Sequence, residues 1–420
     1  MPVNDIAVIG AGISGLVAAC VLSQKHNVTV FERTSSPGGH AQTTIVTDQG
    51  RSVAIDTGFI VFNQPNYPLL CRLFDMLDVR TQASNMSFSV HCEESGFEYN
   101  GANLNQFFSQ RKNLLKPNVW GMLRDILRFN RGSVEMLRGN LNDQITVGEF
   151  LQKEHYSDQF LRNYLLPLGA SIWSCHETDF RQFPIRFVIE FLRNHGLLQL
   201  TNRPKWRTVS GGSYTYVSKL QDLLGSSLRL NAAVQRVERT KRGVSVNWND
   251  NQTETFDEVI MATHADTSMG TIVDPDEEEL ETLKAFPYGE NEGCLHTDTQ
   301  TLPKNKRAWA SWNYRLPREK QEGVSISYNM NLLQNLDTSQ TYCMSLNQKG
   351  SIHPKHVVQS MRFRHPIFRT GRQNAQKNHK ALLRRKGISY CGAYWGYGFH
   401  EDGIRSALSV CKAFEVEPSF

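Results

Sequence analysis

Three glycines within six residues, Gly10, Gly12 and Gly15, follow the apolar run Asp5-Ile6-Ala7-Val8-Ile9. That spacing constrains the fold more than any other feature of the chain. The apolar run reads as a short buried strand, and residues 16–24 carry apolar side chains at helical spacing. A second run, Val28-Thr29-Val30-Phe31, ends at Glu32. Together these parts form a strand–turn–helix–strand unit that closes on an acid. In such a unit Gly10 permits the tight turn, Gly12 lets a pyrophosphate approach the backbone, and Gly15 lets the helix pack on its strand. The helix amino terminus, with Ser14 in its first turn, offers free N–H groups and a positive dipole. Glu32 is placed to accept from adenosine ribose hydroxyls. A glycine-rich turn arising by chance would lack the helix, the second strand and the acid.

The chain has 420 residues, enough for two domains or one elaborated domain. A net charge of +5 suits an anionic ligand or an anionic membrane surface, and no nucleic-acid signature accompanies it. Eight cysteines without a Cys-x-x-Cys pair read as reduced thiols and point to the cytoplasm, with the inner face of the membrane as a peripheral site. The apolar stretch 6–22 carries the three glycines and no preceding basic residue, so it reads as part of the fold rather than a signal peptide. No stretch is long and apolar enough to span a bilayer.

Directly after Glu32 comes Arg33-Thr34-Ser35-Ser36-Pro37-Gly38-Gly39-His40-Ala41-Gln42-Thr43, a second glycine turn, and then Asp56-Thr57-Gly58-Phe59. Here the sequence resembles the flavin-containing amine oxidase superfamily, which includes phytoene desaturases and protoporphyrinogen oxidases. The resemblance implies FAD as cofactor, with Arg33, Gly39 and His40 near the pyrophosphate and Gly58 beside the flavin. His40 stands where the family has arginine. Trp206-Arg207-Thr208-Val209-Ser210-Gly211-Gly212-Ser213 resembles the return into the flavin domain. Ala233-Val234-Gln235-Arg236-Val237 resembles the strand whose backbone holds the adenine, with Val234 the contact. Asp257-Glu258-Val259-Ile260-Met261-Ala262 resembles a buried strand of the same domain. No second G-x-G-x-x-G unit is present for a nicotinamide, so the substrate itself is expected to reduce the flavin.

The expected fold class is α/β: a Rossmann-like FAD-binding domain with an inserted mixed α+β substrate domain. The FAD domain is expected at 1–75, 203–268 and 386–420, and the substrate domain at 76–202 and 269–385. Within the insertions, 119–131, 146–152 and 184–193 read as helices. Residues 290–345 read as strands. Val324, Ile326, Tyr328 and Met330 alternate with polar or small residues, which predicts one buried face. Asp274 to Glu279 reads as the solvated acidic start of a helix.

Other clusters admit two readings. On a helix over 119–131, Arg124, Arg128 and Arg131 share one face and Trp120, Leu123 and Leu127 another. This is either an ordinary surface helix or a face that rests on anionic lipid headgroups. His353-Pro354-Lys355-His356 has His-x-x-His spacing but lacks further ligands, so no metal site is expected. Trp173, Phe180 and Phe183 either line an apolar channel or belong to the core.

Near the carboxyl end, Ile388 to Gly392 reads as a last buried strand, followed by Ala393-Tyr394-Trp395-Gly396-Tyr397-Gly398-Phe399-His400-Glu401-Asp402-Gly403. Helical spacing resumes at Ile404, which makes Asp402 the expected N-cap. The superfamily resemblance implies that Gly392, Asp402 and Gly403 seat the flavin and that this helix faces its N1–C2=O edge. Ala393 stands where the family has an acid. Trp395 and Tyr397 are candidates to wall the flavin face. His400 and Tyr397 are the candidate catalytic residues, although His400 and Glu401 are expected chiefly to support the cofactor. DTGFIVFN with YWGYGFHEDG is similar to bacterial flavoproteins associated with cyclopropane, methyl-branched and furan fatty acid synthesis. That similarity implies a desaturase or dehydrogenase of methyl-branched, unsaturated acyl chains carried on phospholipid, with hydride transfer to flavin N5. An S-adenosylmethionine-dependent fatty acyl methyltransferase is the implied partner. An amine or polyamine oxidase, and a redox-silent protein that presents lipid to the methyltransferase, are the alternatives.

Overall fold

The computed structural model describes residues 2–139, 141–199, 203–318 and 324–420. Residues 200–202, where the sequence places the boundary between an insertion and the return to the FAD domain, lie outside the described residues.

A five-stranded parallel sheet carries the first glycine unit. Its strands run in the order Leu228–Arg229, Asn27–Phe31, Asp5–Ile9, Glu258–Met261, Ile388–Tyr390. The central strand alternates its side chains between two apolar layers. Ile6 and Val8 pack with the helix Ile13–Leu22 and with Ile404, Ala407 and Val410 of the helix His400–Ala413. Ala7 and Ile9 pack on the other side, with Phe256, Phe286 and Tyr394. An antiparallel meander, Val234–Thr240, Gly243–Trp248 and Gln252–Phe256, covers that second side. The predicted strand–turn–helix–strand unit is present, with the helix beginning three residues earlier than the apolar spacing suggested.

A separate seven-stranded sheet is built from Phe88–Cys92, Phe97–Asn100 and strands between residues 288 and 366. It is antiparallel except where Phe88–Cys92 runs beside Trp312–Leu316. Its core includes helices Pro117–Arg138, Val147–Glu154, Leu166–Trp173 and Ile185–Asn194.

Three expectations change in detail. The strand Ile326–Asn329 is buried on both faces, because Ser325, Ser327 and Asn329 are enclosed as well as Ile326 and Tyr328. Its polar side chains are satisfied internally: Ser327 Oγ lies 2.6 Å from Ser345 Oγ, and Asn329 caps the short helix Met330–Leu333. The acidic helix start is not simply solvated. Asp276 and Glu279 form a capping box, Glu279 is fully buried against Arg239 at 2.6 Å, and Asp276 is held by Arg385 and Lys386. The basic helix extends to Pro117–Arg138, with proline at its first position. Its deepest row is Val119, Met122, Ile126 and Phe129, one residue away from the predicted Trp120, Leu123 and Leu127 face. Trp173, Phe180 and Phe183 are packed core residues. Among the described residues, no helix is long and apolar enough to cross a membrane.

Candidate active site

The first turn sits at the carboxyl end of the central strand, where ligands bind open parallel sheets. Gly10 has φ +103°, and a Cβ there would lie 2.9 Å from the Ala262 carbonyl oxygen. Gly15 is more constrained: a Cβ would fall 1.9 Å from the Gly10 carbonyl oxygen. Gly12 is different. A side chain at Gly12 would meet nothing within 4 Å, and Gly12 is the N-cap of a helix that has no side-chain cap. Two of the three glycines therefore serve packing, and the third leaves backbone N–H groups accessible to a ligand. The second glycine turn packs directly on the first, with Gly38 N–H donating to Ala11 C=O at 2.8 Å.

Glu32 closes the unit. One oxygen accepts from Ala11 N–H at 3.0 Å, the other from the Thr34 N–H at 3.0 Å and the Thr34 hydroxyl at 2.8 Å. A carboxylate has about four acceptor sites, so capacity for a ribose hydroxyl remains. Ala232 N–H donates to Glu32 C=O and Asn231 N–H to Thr34 C=O, which brings Val234 into the same neighbourhood.

The loop that carries Gly58 folds back on His40, whose carbonyl accepts from Phe59 N–H at 2.8 Å. Asp56 just before it is fully buried. It accepts from the Thr43 hydroxyl at 2.7 Å, from Ser213 N–H at 2.7 Å and Oγ at 2.9 Å, and from Gln334 Nε2 at 3.1 Å. Burial pushes its carboxyl up to about 6 in spite of these donors. Asp56 thereby ties the glycine half, the returning segment and the inserted half together. The Thr43, Ser213 and Gln334 partners were not found by sequence reading, because nothing local marks them.

His40 faces two further imidazoles, His365 at 5.4 Å and His264 at 6.1 Å between ring centroids. His264 stacks on Tyr288. Asn291 Nδ2 donates to His365 Nδ1 at 2.9 Å, so the neutral His365 ring carries its proton on Nε2. His40 Nε2 is buried and makes no hydrogen bond within the chain. Burial holds all three rings below the usual histidine range, His365 at about 3 and His264 at about 4. Arg33, itself exposed, adds a small lowering at His264. Three uncharged imidazoles thus stand where the parallel sheet meets the inserted one.

The carboxyl-terminal loop divides its aromatic side chains. Tyr394 joins the core around Phe286, and Trp395 stacks on His379 at 4.2 Å. Tyr397 turns the other way and stacks on Phe187 at 5.0 Å, with its hydroxyl 3.4 Å from Glu190. Trp395 and Tyr397 therefore do not form one wall. Helix residues Arg372 and Gln376 hold the loop between them. Arg372 donates to Gly396 C=O at 2.9 Å, and Gln376 to Tyr394 C=O and Gly396 C=O, both at 2.8 Å. The Arg372 guanidinium also lies 3.9 Å above the Phe187 ring.

His400, Glu401 and Asp402 each have a separate partner. His400 Nε2 shares a 2.9 Å hydrogen bond with the Tyr216 hydroxyl, and its ring stacks on Phe59 at 3.8 Å. Burial lowers it to about 3, so it is neutral. Glu401 accepts from Leu69 and Leu70 N–H groups and so caps the helix Pro68–Met76, which has no side-chain cap of its own. Asp402 is not the N-cap. The helix starts at His400, Phe399 is the N-cap, and Asp402 reaches back from the third position to accept from Phe399 N–H at 3.1 Å. The helix starts early because Phe399 C=O already accepts from Asp402 and Gly403 N–H. Gly392 N–H donates to Ser406 Oγ at 2.9 Å. A Cβ on Gly403 would lie 2.8 Å from Ser14 Oγ, so the amino termini of helices Ile13–Leu22 and His400–Ala413 converge.

This donor set fits a long anionic dinucleotide: two converging helix ends, an open Gly12, an acid with spare acceptor capacity and an unpartnered buried imidazole nitrogen.

A family model described as flavin containing amine oxidoreductase matches residues 13–413. A Mycobacterium tuberculosis protein named as a flavin-containing monoamine oxidase, AofH, is 26% identical over 271 residues. That match covers 60% of this chain and 55% of the relative, so it spans about half of the relative's length. Among solved structures, cyclohexylamine oxidase from Brevibacterium oxydans superposes with a TM-score of 0.71 at 13% identity, over 99% of this chain and 100% of that one. A conjugated-linoleic-acid-producing fatty acid isomerase from P. acnes gives 0.67 at 15% identity, over 98% and 99%. At such identities the structural likeness is a likeness of fold.

Proposed function

The chain belongs to the flavin-containing amine oxidoreductase family and so takes FAD as cofactor, and from that premise we propose that it is a desaturase or dehydrogenase of methyl-branched, unsaturated acyl chains. One observation carries the reading. The inserted half meets the carboxyl-terminal loop with hydrocarbon: Phe183, Phe187, Phe191, Phe368, Tyr397 and Phe399 pack as one aromatic cluster. Phe183, Phe187, Phe191 and Phe368 form its closed core, and Tyr397 and Phe399 at its edge stay half-buried, an apolar rim that suits an apolar chain. The polar groups within it are already engaged, Glu190 with Arg186 and Tyr397, and Arg372 with Gly396. A solved structure of the same fold is named as a fatty acid isomerase.

Bound FAD supplies the hydride acceptor. The chain's own part is to bind, orient and exclude water. The helix ends at Gly12 and His400 offer positive dipole to negative charge on a ligand between them. The neutral His40, His264 and His365 rings can take up protons when an anion arrives beside them. An alkene and a methyl branch in the substrate would stabilise positive charge developing at an allylic carbon. A fatty acyl methyltransferase is the fitting supplier of such a chain, and presentation of lipid to it without redox chemistry is the non-catalytic version of the same proposal.

Oxidation of amines is the second reading, favoured by the sequence match to AofH. Anaerobic mixing separates the two. Methylated unsaturated phospholipid should bleach the flavin absorbance of the FAD-loaded protein, and primary amines and polyamines should not. A flavin that stays oxidised across several acyl isomers would overturn the leading proposal. Bleaching by amines, with peroxide formed in air, would establish the second.

A further inference from the structure

An apolar tip with cations about it stands on the inserted half. Leu104, Leu114, Leu115 and Trp120 are exposed, Leu115 at 87%. Residues 101–124 contain Arg111, Lys112, Lys116 and Arg124 and no Asp or Glu. Lys112 and Arg124 are exposed, and among the described residues neither forms an ion pair. A second acid-free segment, 299–318, packs against the first. Asn305 Nδ2 donates to Ser109 C=O at 3.0 Å, and Lys304 and Asn305 N–H groups donate to Glu98. Its exposed Lys304, Lys306 and Arg307 therefore stand beside the helix Leu104–Phe107.

The tip is held in place. Trp120 Nε1 donates to Leu114 C=O at 2.9 Å, and its ring packs 5.0 Å from Phe108. Arg111 donates to Asn105 C=O and Phe108 C=O. The turn Arg111–Leu115 is thus fixed to the fold while Leu114 and Leu115 point away from it. Folding gains nothing from side chains left in this position. The basic face considered in the sequence is only partly available: Arg128 is drawn down over Tyr156 at 3.9 Å and donates to Glu154 C=O.

We propose that this face docks on an anionic lipid bilayer, with Leu114, Leu115 and Trp120 entering the headgroup boundary and the surrounding cations lying on the phosphates. Protruding apolar tips on a held turn, an indole at their base and exposed cations from two acid-free segments, with Glu98 between them buried, are the complement of such a surface. The inference is independent of which substrate is oxidised.

The test is co-sedimentation of the full FAD-loaded chain with vesicles of phosphatidylcholine alone or of equal parts phosphatidylcholine and phosphatidylglycerol. Wild type should bind the mixed vesicles, release with added salt, and bind the neutral ones weakly. Lys112→Glu/Arg124→Glu should weaken binding by at least about fivefold for each cation removed. Leu115→Glu should weaken it by about tenfold, since it forfeits the burial of one leucine. Lys241→Glu/Arg242→Glu makes the same change of net charge on a distant exposed turn and should bind as wild type. The proposal is overturned if wild type ignores the mixed vesicles, which would leave an acidic protein surface as the partner, or if the distant pair weakens binding as much as the local pair.

Discussion

The turn at residues 10–15 and the loop at residues 392–403 meet where Gly403 packs on Ser14 and Ile13. They reach that point by different routes. The turn is fixed by backbone contacts at its glycines: Gly15 against Gly10 within the turn, and Gly10 against the Ala262 carbonyl at the end of the neighbouring strand. The loop is fixed by partners distant in the chain, among them Phe59, Leu69, Phe187, Tyr216, Arg372 and Gln376. A turn closed by backbone contacts at its glycines is specified by residue spacing. A loop held by side chains from many segments is specified by the whole fold.

The largest effect should come from the turn. Gly15→Ala places a methyl inside van der Waals range of the Gly10 carbonyl and should cost roughly 3 kcal/mol or more in a denaturant melt. Gly12→Ala, three residues earlier at the N-cap, should change stability by no more than about 1 kcal/mol yet weaken FAD binding measured by titration. Equal effects on stability would remove the distinction between packing glycine and ligand-facing glycine.

Acid should act next. His195, His296 and His400 are buried and His264 and His365 half-buried, and desolvation lowers their proton affinities to about 3 or 4, against an ordinary value near 6.5. The unfolded chain therefore binds more protons there, and stability is lost as pH falls below about 6.5. Asp56, Glu401 and Asp402 are raised, Asp56 and Asp402 to about 6, and act in the opposite sense, since the folded form holds protons the unfolded form releases. Five imidazoles outweigh three carboxylates. The thermal midpoint of the cofactor-free protein should fall as pH is lowered from about 6.5 towards 4. FAD affinity should rise over the same range, because an anion beside His40, His264 and His365 draws protons onto them. A midpoint that rises on acidification would show that the carboxylates dominate.

Smaller effects test the ties of the loop singly. Glu401→Ala leaves the Leu69 and Leu70 N–H groups without their acceptor and should cost about 2 kcal/mol in stability. Tyr216→Phe removes the His400 hydrogen bond and should cost about 1 kcal/mol, with the pH profile of turnover unchanged. A shifted profile would instead make His400 a group that titrates during the reaction.

The same contrast sets how much could be read in advance. Strand, helix and acid around Gly10, Gly12 and Gly15 follow from short-range periodicity, and so does the short strand Ile388–Tyr390. The Asp56 network does not, because Thr43, Ser213 and Gln334 approach it from three separate segments and carry no local signature. The imidazole cluster escapes for the same reason, with His40, His264 and His365 contributed by different segments of the chain. The residue type of Asp402 suits an N-cap, yet it occupies the third helical position. The backbone had already turned helical at His400.

The order of strands in the parallel sheet has a consequence for synthesis. Glu258–Met261 pairs on one side with Asp5–Ile9, made long before it, and on the other with Ile388–Tyr390, made long after it. A growing chain can assemble most of the sheet long before the strand that covers its far edge has left the ribosome. An uncovered parallel edge invites wrong pairing. The helix His400–Ala413, which completes both the apolar layer and the second helix end of the site, arrives later still. Cofactor loading thus waits for the His400–Ala413 segment to be made, and whatever protects the unfinished edge must act until then.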